Sequence, residues 1–225
     1  IRGATISKTK SGKYFLSILL DIPQEAYVKF KKTDKSVGID LGVKDFVITS
    51  DGKKFENKHF FKKEEKKLKK LQRQLLRKVK GSNNRNKARI KLAKAFEHIT
   101  NKKENYIHFV VNELLSKYDI IYMEDLNVSG MLKNHKLAKA IQEVSFFRLK
   151  EILQNKTLVN DKQVKFVDMF YPSSKICSDC GYKNKDLKLS DRFWICPECN
   201  TLHERDLNAA KNILREGQQI LNQRT

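Results

Sequence analysis

The chain has 225 residues with 47 Lys+Arg against 26 Asp+Glu, a formal charge of +21, and that surplus points to a polyanionic partner. At 40% hydrophobic and 32% charged it holds enough apolar material for one good core and a small appendage, which excludes disorder over most of its length. The longest apolar stretches, Phe15 to Leu20 and Ile120 to Met123, fall far short of the roughly 18 to 20 residues that span a bilayer, and no secretory signal opens the chain.

Residues 1–21 alternate apolar and polar side chains on both sides of Lys10-Ser11-Gly12-Lys13, the pattern of two strands joined by a short turn. A lone hairpin is marginal in water, so this one is expected to complete a sheet formed elsewhere, in a protein longer than this chain. Val37 to Leu41, Val43 to Ser50 and Lys53 to Glu56, the last after Ser50-Asp51-Gly52, predict an antiparallel meander. From Lys62 the pattern becomes helical, with Leu68, Leu71, Leu75 and Val79 recurring every three or four residues. Gly81-Ser82-Asn83-Asn84 breaks it, and a second run with Leu92, Phe96, Ile99, Tyr106 and Val110 on one face ends near Lys117, which predicts an antiparallel helical hairpin. Residues 62–103 carry 17 Lys+Arg and 3 Glu, so most of the charge surplus sits here. Ile120 to Met123 reads as a buried parallel strand. A loop around Gly130, a helix from about Leu137 to Gln154 and a strand Val164 to Val167 follow. A cysteine segment, 171–203, precedes a last helix from Arg205 to about Leu221 with Leu207, Ala210, Ile213 and Leu214 as its stripe. The order predicts a mixed α/β protein with an insertion before its final helix.

Cys177 and Cys180, then Cys196 and Cys199, have the spacing Cys-x2-Cys, fifteen residues, Cys-x2-Cys of a four-thiolate zinc site. Gly181 and Asn200 follow the second cysteine of each pair and tolerate the left-handed conformation that a tight metal knuckle needs. Two disulfides are the alternative, but they require an oxidising compartment that nothing else in the chain suggests. Four thiolates leave no open position, so the metal is expected to be structural.

Asp40 stands in the middle of the apolar strand Val37-Gly38-Ile39-Asp40-Leu41-Gly42, and Glu124 caps Ile120-Ile121-Tyr122-Met123. Asp206 opens the final helix. Each alone is ordinary, as a solvated strand end or an acid complementing a helix dipole. Together they suit an RNase H-like sheet, in which the middle of the first strand and the end of the fourth lie side by side and a later helix adds a third acid. Three anions at one point repel unless divalent cations bind there. Hard Mg²⁺ or Mn²⁺ prefers such oxygens, and two ions about 4 Å apart can activate water and stabilise the leaving oxygen of a phosphodiester.

Four motifs in order then resemble the transposon-encoded TnpB family, whose nuclease domain is RuvC-like and related to the type V CRISPR effectors. They are Gly38-Ile39-Asp40-Leu41-Gly42, Met123-Glu124-Asp125-Leu126-Asn127 with Gly130-Met131, Tyr171-Pro172-Ser173-Ser174-Lys175 leading into the first cysteine pair, and Arg205-Asp206-Leu207-Asn208-Ala209-Ala210. The resemblance implies a metal-dependent DNA endonuclease guided by a transposon-end RNA, with Asp40, Glu124 and Asp206 as ligands of Mg²⁺ or Mn²⁺, in the cytoplasm beside the nucleoid. It implies residues 1–30 as the terminal hairpin of an upstream wedge-like barrel. A RuvC-like core over 31–170 would carry a helical insertion at 59–117. The zinc ribbon would be 171–203, and the final helix and tail 204–225. It also implies that the family's N-terminal part, which reads the short motif beside the target and grips much of the guide, lies outside this chain.

The basic hairpin, with Lys66, Lys69, Lys70 and Arg73 on one helix face, is read as a nucleic-acid contact rather than a solvated surface. Ser174 and Lys175 are read as phosphate or backbone contacts, since no base is placed to activate the hydroxyl. Tyr171, Tyr182, Phe193 and Trp194 are read as a small ribbon core before base-stacking groups, and His203 as a proton shuttle, a group beside the metal, or a loop residue. Two other functions remain open at this point: a DDE-type transposase performing strand transfer on the same acids, and a zinc-ribbon nucleic-acid binder without catalysis.

Overall fold

The computed structural model describes residues 1–23, 30–127, 130, 133, 144–188 and 190–222. The chain divides into two units, residues 1–28 with 59–109 and residues 29–58 with 110–225.

In the first unit β1 (Gly3–Lys8) and β2 (Tyr14–Leu19) pair antiparallel with Thr5 opposite Ser17. Thr9 closes the turn, its hydroxyl accepting the Lys13 N–H at 3.1 Å. Ile6, Phe15, Leu16 and Ile18 stay exposed, and among the described residues these strands pair only with each other. Two helices follow, α1 (Phe60–Leu76) and α2 (Asn83–Lys117), the last turns of α2 belonging to the second unit. They run antiparallel, because the Phe60 ring meets Tyr106 edge-on at 6.0 Å while Arg85 donates to the Leu75 carbonyl at 3.2 Å. The polar break supplies both caps. Ser82 Oγ accepts the Arg85 N–H at 3.1 Å, and the Arg85 guanidinium donates to the carbonyls of Leu75 and Lys78 where α1 ends. Leu68, Ile99 and Ile107 are buried.

The second unit is built on a five-stranded sheet of β3 (Ser36–Leu41), β4 (Asp45–Thr49), β5 (Lys54–Glu56), β6 (Ile120–Glu124) and β7 (Gln163–Val167) in the order β5-β4-β3-β6-β7. The predicted meander β3–β4–β5 is antiparallel, and β3, β6 and β7 are parallel. Within β6 the residues Ile121, Tyr122 and Met123 are all buried, which explains an apolar run with no alternation. The crossover from β6 to β7 carries α3 (Phe146–Val159), and the start expected near Leu137 lies outside the described residues. This helix runs past the predicted end at Gln154. The polar residues Asn155, Lys156 and Thr157 and then Leu158 and Val159 continue the helix, and the Asn160 N–H closes it on the Lys156 and Thr157 carbonyls.

The final helix α4 (Arg205–Asn222) packs on β3 and β6 and comes closest at two glycines. A methyl group on Gly38 would come to 2.2 Å from the Ala210 carbonyl oxygen, and one on Gly217 to 2.0 Å from the Tyr122 ring. Two short strands, β8 (Phe193–Ile195) and β9 (Leu202–Glu204), form the ribbon that precedes α4.

At the start of the parallel strands a buried ion pair fixes the register. Lys162 donates to Asp119 at 2.9 Å and to the carbonyls of Leu115, Tyr118 and Lys31, while Asp119 accepts the N–H groups of Thr33 and Asp34 at 2.8 and 2.7 Å. The Asp119 N–H reaches the Lys35 carbonyl and its own carbonyl takes the Gln163 N–H, so one residue ties the beginnings of β3, β6 and β7. Burial opposes the charged carboxylate, but Lys162 and the two backbone N–H groups outweigh it and hold Asp119 down to about 2. A folded-state value below the ordinary 3.8 contributes stability that is present above that pH and is lost as pH falls toward 2. Lys162→Met, which leaves the carboxylate buried without its cation, should lower stability by about 3–5 kcal/mol in denaturant melts at neutral pH. It should also flatten the acid limb of the stability curve; an unchanged melt would make the pair an ornament of the sheet.

Candidate active site and metal centre

Parallel register brings the first two acids together. Ile39 pairs with Met123, so the next residue on each strand is Asp40 on β3 and Glu124 on β6, and equal register on neighbouring strands puts both on one face. The seating of α4 on Gly38 then brings the first turn of that helix, with Asp206, into the field of Asp40. Asp40 is pushed up to about 8, first by burial, then by the negative fields of Glu124 and Asp206, which outweigh Arg205 and a backbone N–H. Burial also raises Glu124, against a hydrogen bond from Ser173.

The three carboxylates are neighbours in field without closing on one point. Asp206 is taken by two guanidinium groups, Arg192 at 2.9 Å and Arg205 at 2.8 Å, and Glu124 accepts the Ser173 hydroxyl. The donor set is all oxygen and its anions crowd each other, which fits a hard divalent cation better than a protein cation. Beside Glu124 a cleft of about 280 Å³ is lined by Leu41, Leu126, Asn127, Phe147 and Lys150. Lys150 reaches Asp125 at 2.5 Å.

Ser173, Arg192, Asn208 and Asn212 are site residues that sequence reasoning missed. Ser173 lies in Tyr171-Pro172-Ser173-Ser174-Lys175, where the sequence pattern singles out its neighbours Ser174 and Lys175. Those two are half-buried at the entry of the ribbon, where Lys175 Nζ lies 3.4 Å from the Lys185 carbonyl. Asn208 and Asn212, one turn apart on α4, bind the backbone leading into the first cysteine pair. Asn208 accepts the Ser178 N–H at 2.8 Å and donates to the Ile176 carbonyl at 2.7 Å. Asn212 donates to the carbonyls of Ser173 and Ile176 at 2.8 and 2.6 Å. Spacing of four on a helix was the available signal.

Among the described residues, the four cysteines are the one set of His, Cys, Asp or Glu ligand atoms, three or more together, that gathers closely enough for a metal, all sulfurs lying within 4.8 Å of one another. Cys177 to Cys199 is 3.6 Å and Cys180 to Cys196 is 3.5 Å. Those separations are far beyond a disulfide bond and close to the edge of about 3.8 Å that a tetrahedron with Zn–S of about 2.3 Å requires. Gly181 and Asn200 take the expected left-handed conformation, at φ +84° and +55°, and each donates its N–H to the carbonyl of the first cysteine of its pair, at 3.0 and 2.9 Å. Trp194, Tyr182 and Leu187 pack on Cys177 and Cys196 as the small core, whereas Phe193 is exposed and Tyr171 packs on Tyr122, Val167 and Ile213. His203 is buried against Trp194 with Nε2 3.0 Å from the Cys177 sulfur, so it stands beside the cluster and not in a loop.

In the first unit Lys66, Lys69, Lys70 and Arg73 are exposed on α1, one face at helical spacing, with Lys69 paired to Glu65 at 2.9 Å. No helix among the described residues is long and apolar enough to cross a membrane.

A family model described as "Probable transposase", OrfB_IS605, matches residues 17–135, and one described as the Cas12f1-like TNB domain matches residues 146–213. A Streptomyces pristinaespiralis protein named "Putative RNA-guided DNA endonuclease" is 36% identical over 213 residues, 95% of this chain and 52% of its own length. The Escherichia coli (strain K12) protein InsQ, named in the same words, is 32% identical over 98% of this chain and 58% of its own length. The chain thus spans little more than half the length of these relatives. Among solved structures, a Cas12f1 complex with sgRNA and target DNA aligns over 93% of this chain and 55% of its own, at a TM-score of 0.58 and 19% identity. A CRISPR-Cas12f ternary complex covers 89% of this chain and 42% of its own at 0.60. Both likenesses concern the fold.

In a ribbon with so few apolar residues, a metal held by the four thiolates would supply folding free energy that packing does not. Metal analysis of the purified chain should find one zinc, and Cys177→Ser or Cys196→Ser should lower it and open residues 172–203 to protease while the sheet stays protected. Full zinc content in either variant would remove that cysteine from the site.

Proposed function

The chain belongs to the OrfB/IS605 family of transposon-encoded TnpB proteins, and from that premise we propose that it forms the cutting part of an RNA-guided DNA endonuclease, with Asp40, Glu124 and Asp206 as the catalytic carboxylates of an RNase H-like, RuvC-like core. The observation that carries this reading is the register of β3 and β6, which sets buried Asp40 beside Glu124 and within the field of Asp206 in a chain of charge +21. Structure tolerates such a concentration of negative charge at a cost, and function is the usual reason for keeping it. Bound there, Mg²⁺ or Mn²⁺ would supply an activated water and stabilisation of the leaving 3′-oxygen.

The protein's own part is to hold three oxygens in reach of such ions and to bring the phosphodiester to them. Asp40 and Glu124 are fixed by sheet register and Asp206 by the seat of α4. Arg192 and Arg205 occupy Asp206 in this structure, so a cation competes with them for that carboxylate. The basic face of α1 would take phosphates of guide RNA or target DNA, and the cysteine cluster would bind zinc and shape the approach to α4. Guide pairing would supply sequence information, as the names of the relatives suggest for those proteins.

Asp40→Ala, Glu124→Gln and Asp206→Asn should each abolish cleavage, with at least a hundredfold loss expected, while nucleic-acid binding stays near wild type because the basic surface is untouched. Mg²⁺ or Mn²⁺ should support cutting, and Ca²⁺ should permit binding with little chemistry. Cleavage should yield free ends; joined strands would point to transposase chemistry, near wild-type cutting by all three variants would place the cutting site elsewhere and overturn the assignment, and binding with no cutting by the wild type in Mg²⁺ or Mn²⁺ would leave a nucleic-acid binder with a non-catalytic acid cluster.

Replacing Lys66, Lys69, Lys70 and Arg73 by Gln should flatten the plot of log affinity against log salt by roughly 0.7 to 0.9 for each phosphate that these side chains no longer neutralise. An unchanged slope would make this face a solvated bystander.

A further inference from the structure

We propose that Ser173 is a positioning residue for Glu124, its hydroxyl holding one carboxylate oxygen so that the other is left, in a fixed orientation, for a divalent cation. The inference rests on the reading of Glu124 as a metal ligand. Ser173 is 5% exposed and donates its hydroxyl proton to Glu124 Oε1. An ionised carboxylate only accepts hydrogen bonds, so the direction of this bond is unambiguous once Glu124 is charged.

What distinguishes Ser173 from a chance neighbour is how firmly its own backbone is held. Its N–H reaches the Tyr171 carbonyl at 2.8 Å across Pro172, whose ring fixes one of the turn's dihedrals. Its carbonyl accepts Asn212 Nδ2 at 2.8 Å, and Asn212 is fully buried on α4, six residues beyond Asp206. The hydroxyl is therefore anchored to the same helix that carries the third acid, and one rigid element sets the direction of two of the three carboxylates.

Its chemistry suits the task as well. Glutamate has one more rotatable bond than aspartate and needs a partner to choose among its rotamers. A neutral hydroxyl supplies direction without a competing positive charge, unlike the guanidinium groups on Asp206. Hydrogen bonds to metal-bound carboxylates of this kind typically change metal affinity by 10–100-fold when removed.

Mn²⁺ binding to the zinc-loaded full chain, followed by electron paramagnetic resonance, tests this without relying on cleavage. Ser173→Ala should weaken Mn²⁺ binding by about 10–100-fold, Ser173→Thr should restore it to within a few-fold of wild type, and Ser174→Ala should leave it unchanged. Zinc content should match wild type in all three. Tight Mn²⁺ binding by Ser173→Ala alongside weak binding by Glu124→Gln would overturn the proposal and leave the ligand role of Glu124 intact. Unaltered binding by Glu124→Gln would instead remove the reading on which it rests. Loss of zinc together with Mn²⁺ in Ser173→Ala would assign the hydroxyl to ribbon folding and overturn it too.

Discussion

Everything at the carboxylate site depends on how closely α4 can approach the sheet. At Gly38 the helix backbone occupies the space where any other residue would have a Cβ, and at Gly217 the Tyr122 ring does the same from the sheet side. A larger residue at either point would push the helix outward, and the first turn would carry Asp206 away from Asp40. The same seat positions Asn208 and Asn212, which grip the chain entering the cysteine ribbon, and through Asn212 it reaches Ser173 and Glu124. Two missing side chains thus govern where Asp206 stands against the two strand-borne acids and how the small cysteine ribbon is attached.

That attachment explains how a ribbon with a core of one tryptophan, one tyrosine and one leucine remains in place. Hydrogen bonds from buried asparagines fix where it begins, β9 runs straight into α4, and Lys54 on β5 pairs with Glu204 at its far end. Thiolate ligation would supply the folding free energy that its apolar residues lack. The carboxylate site carries the opposite kind of energy. Like charges and burial raise Asp40, and two arginines neutralise Asp206, so the site is polarised in a way that a divalent cation would relieve.

How much of this was legible beforehand varied with the kind of signal. Local patterns read well: the apolar run of β6, the polar break between α1 and α2, and the left-handed knuckle residues Gly181 and Asn200 all follow from properties of adjacent residues. The end of α3 did not, because Asn155, Lys156 and Thr157 are polar enough to resemble a loop while the helix behind them is held by packing of Ile152 and Leu153. Ser173 and Ser174 show the harder case. Two identical neighbours differ in role because the turn after Pro172 aims one hydroxyl at Glu124.

The sequence by itself determined the residue chemistry: four cysteines at knuckle spacing, three acids in or beside apolar segments, a basic helical hairpin, and a motif order sufficient to identify the family. Periodicity and spacing are short-range properties, and composition is independent of conformation, so they survive in one dimension. Only the tertiary structure decided that Asp40 faces two other acids, that Arg192 and Arg205 hold Asp206, and that Asn212 and Ser173 connect the ribbon to Glu124. Apart from the Arg205–Asp206 contact between chain neighbours, those relations join residues well separated in sequence, and their distances are set by strand register and by the depth at which a helix can sit on a glycine, quantities that no local pattern encodes.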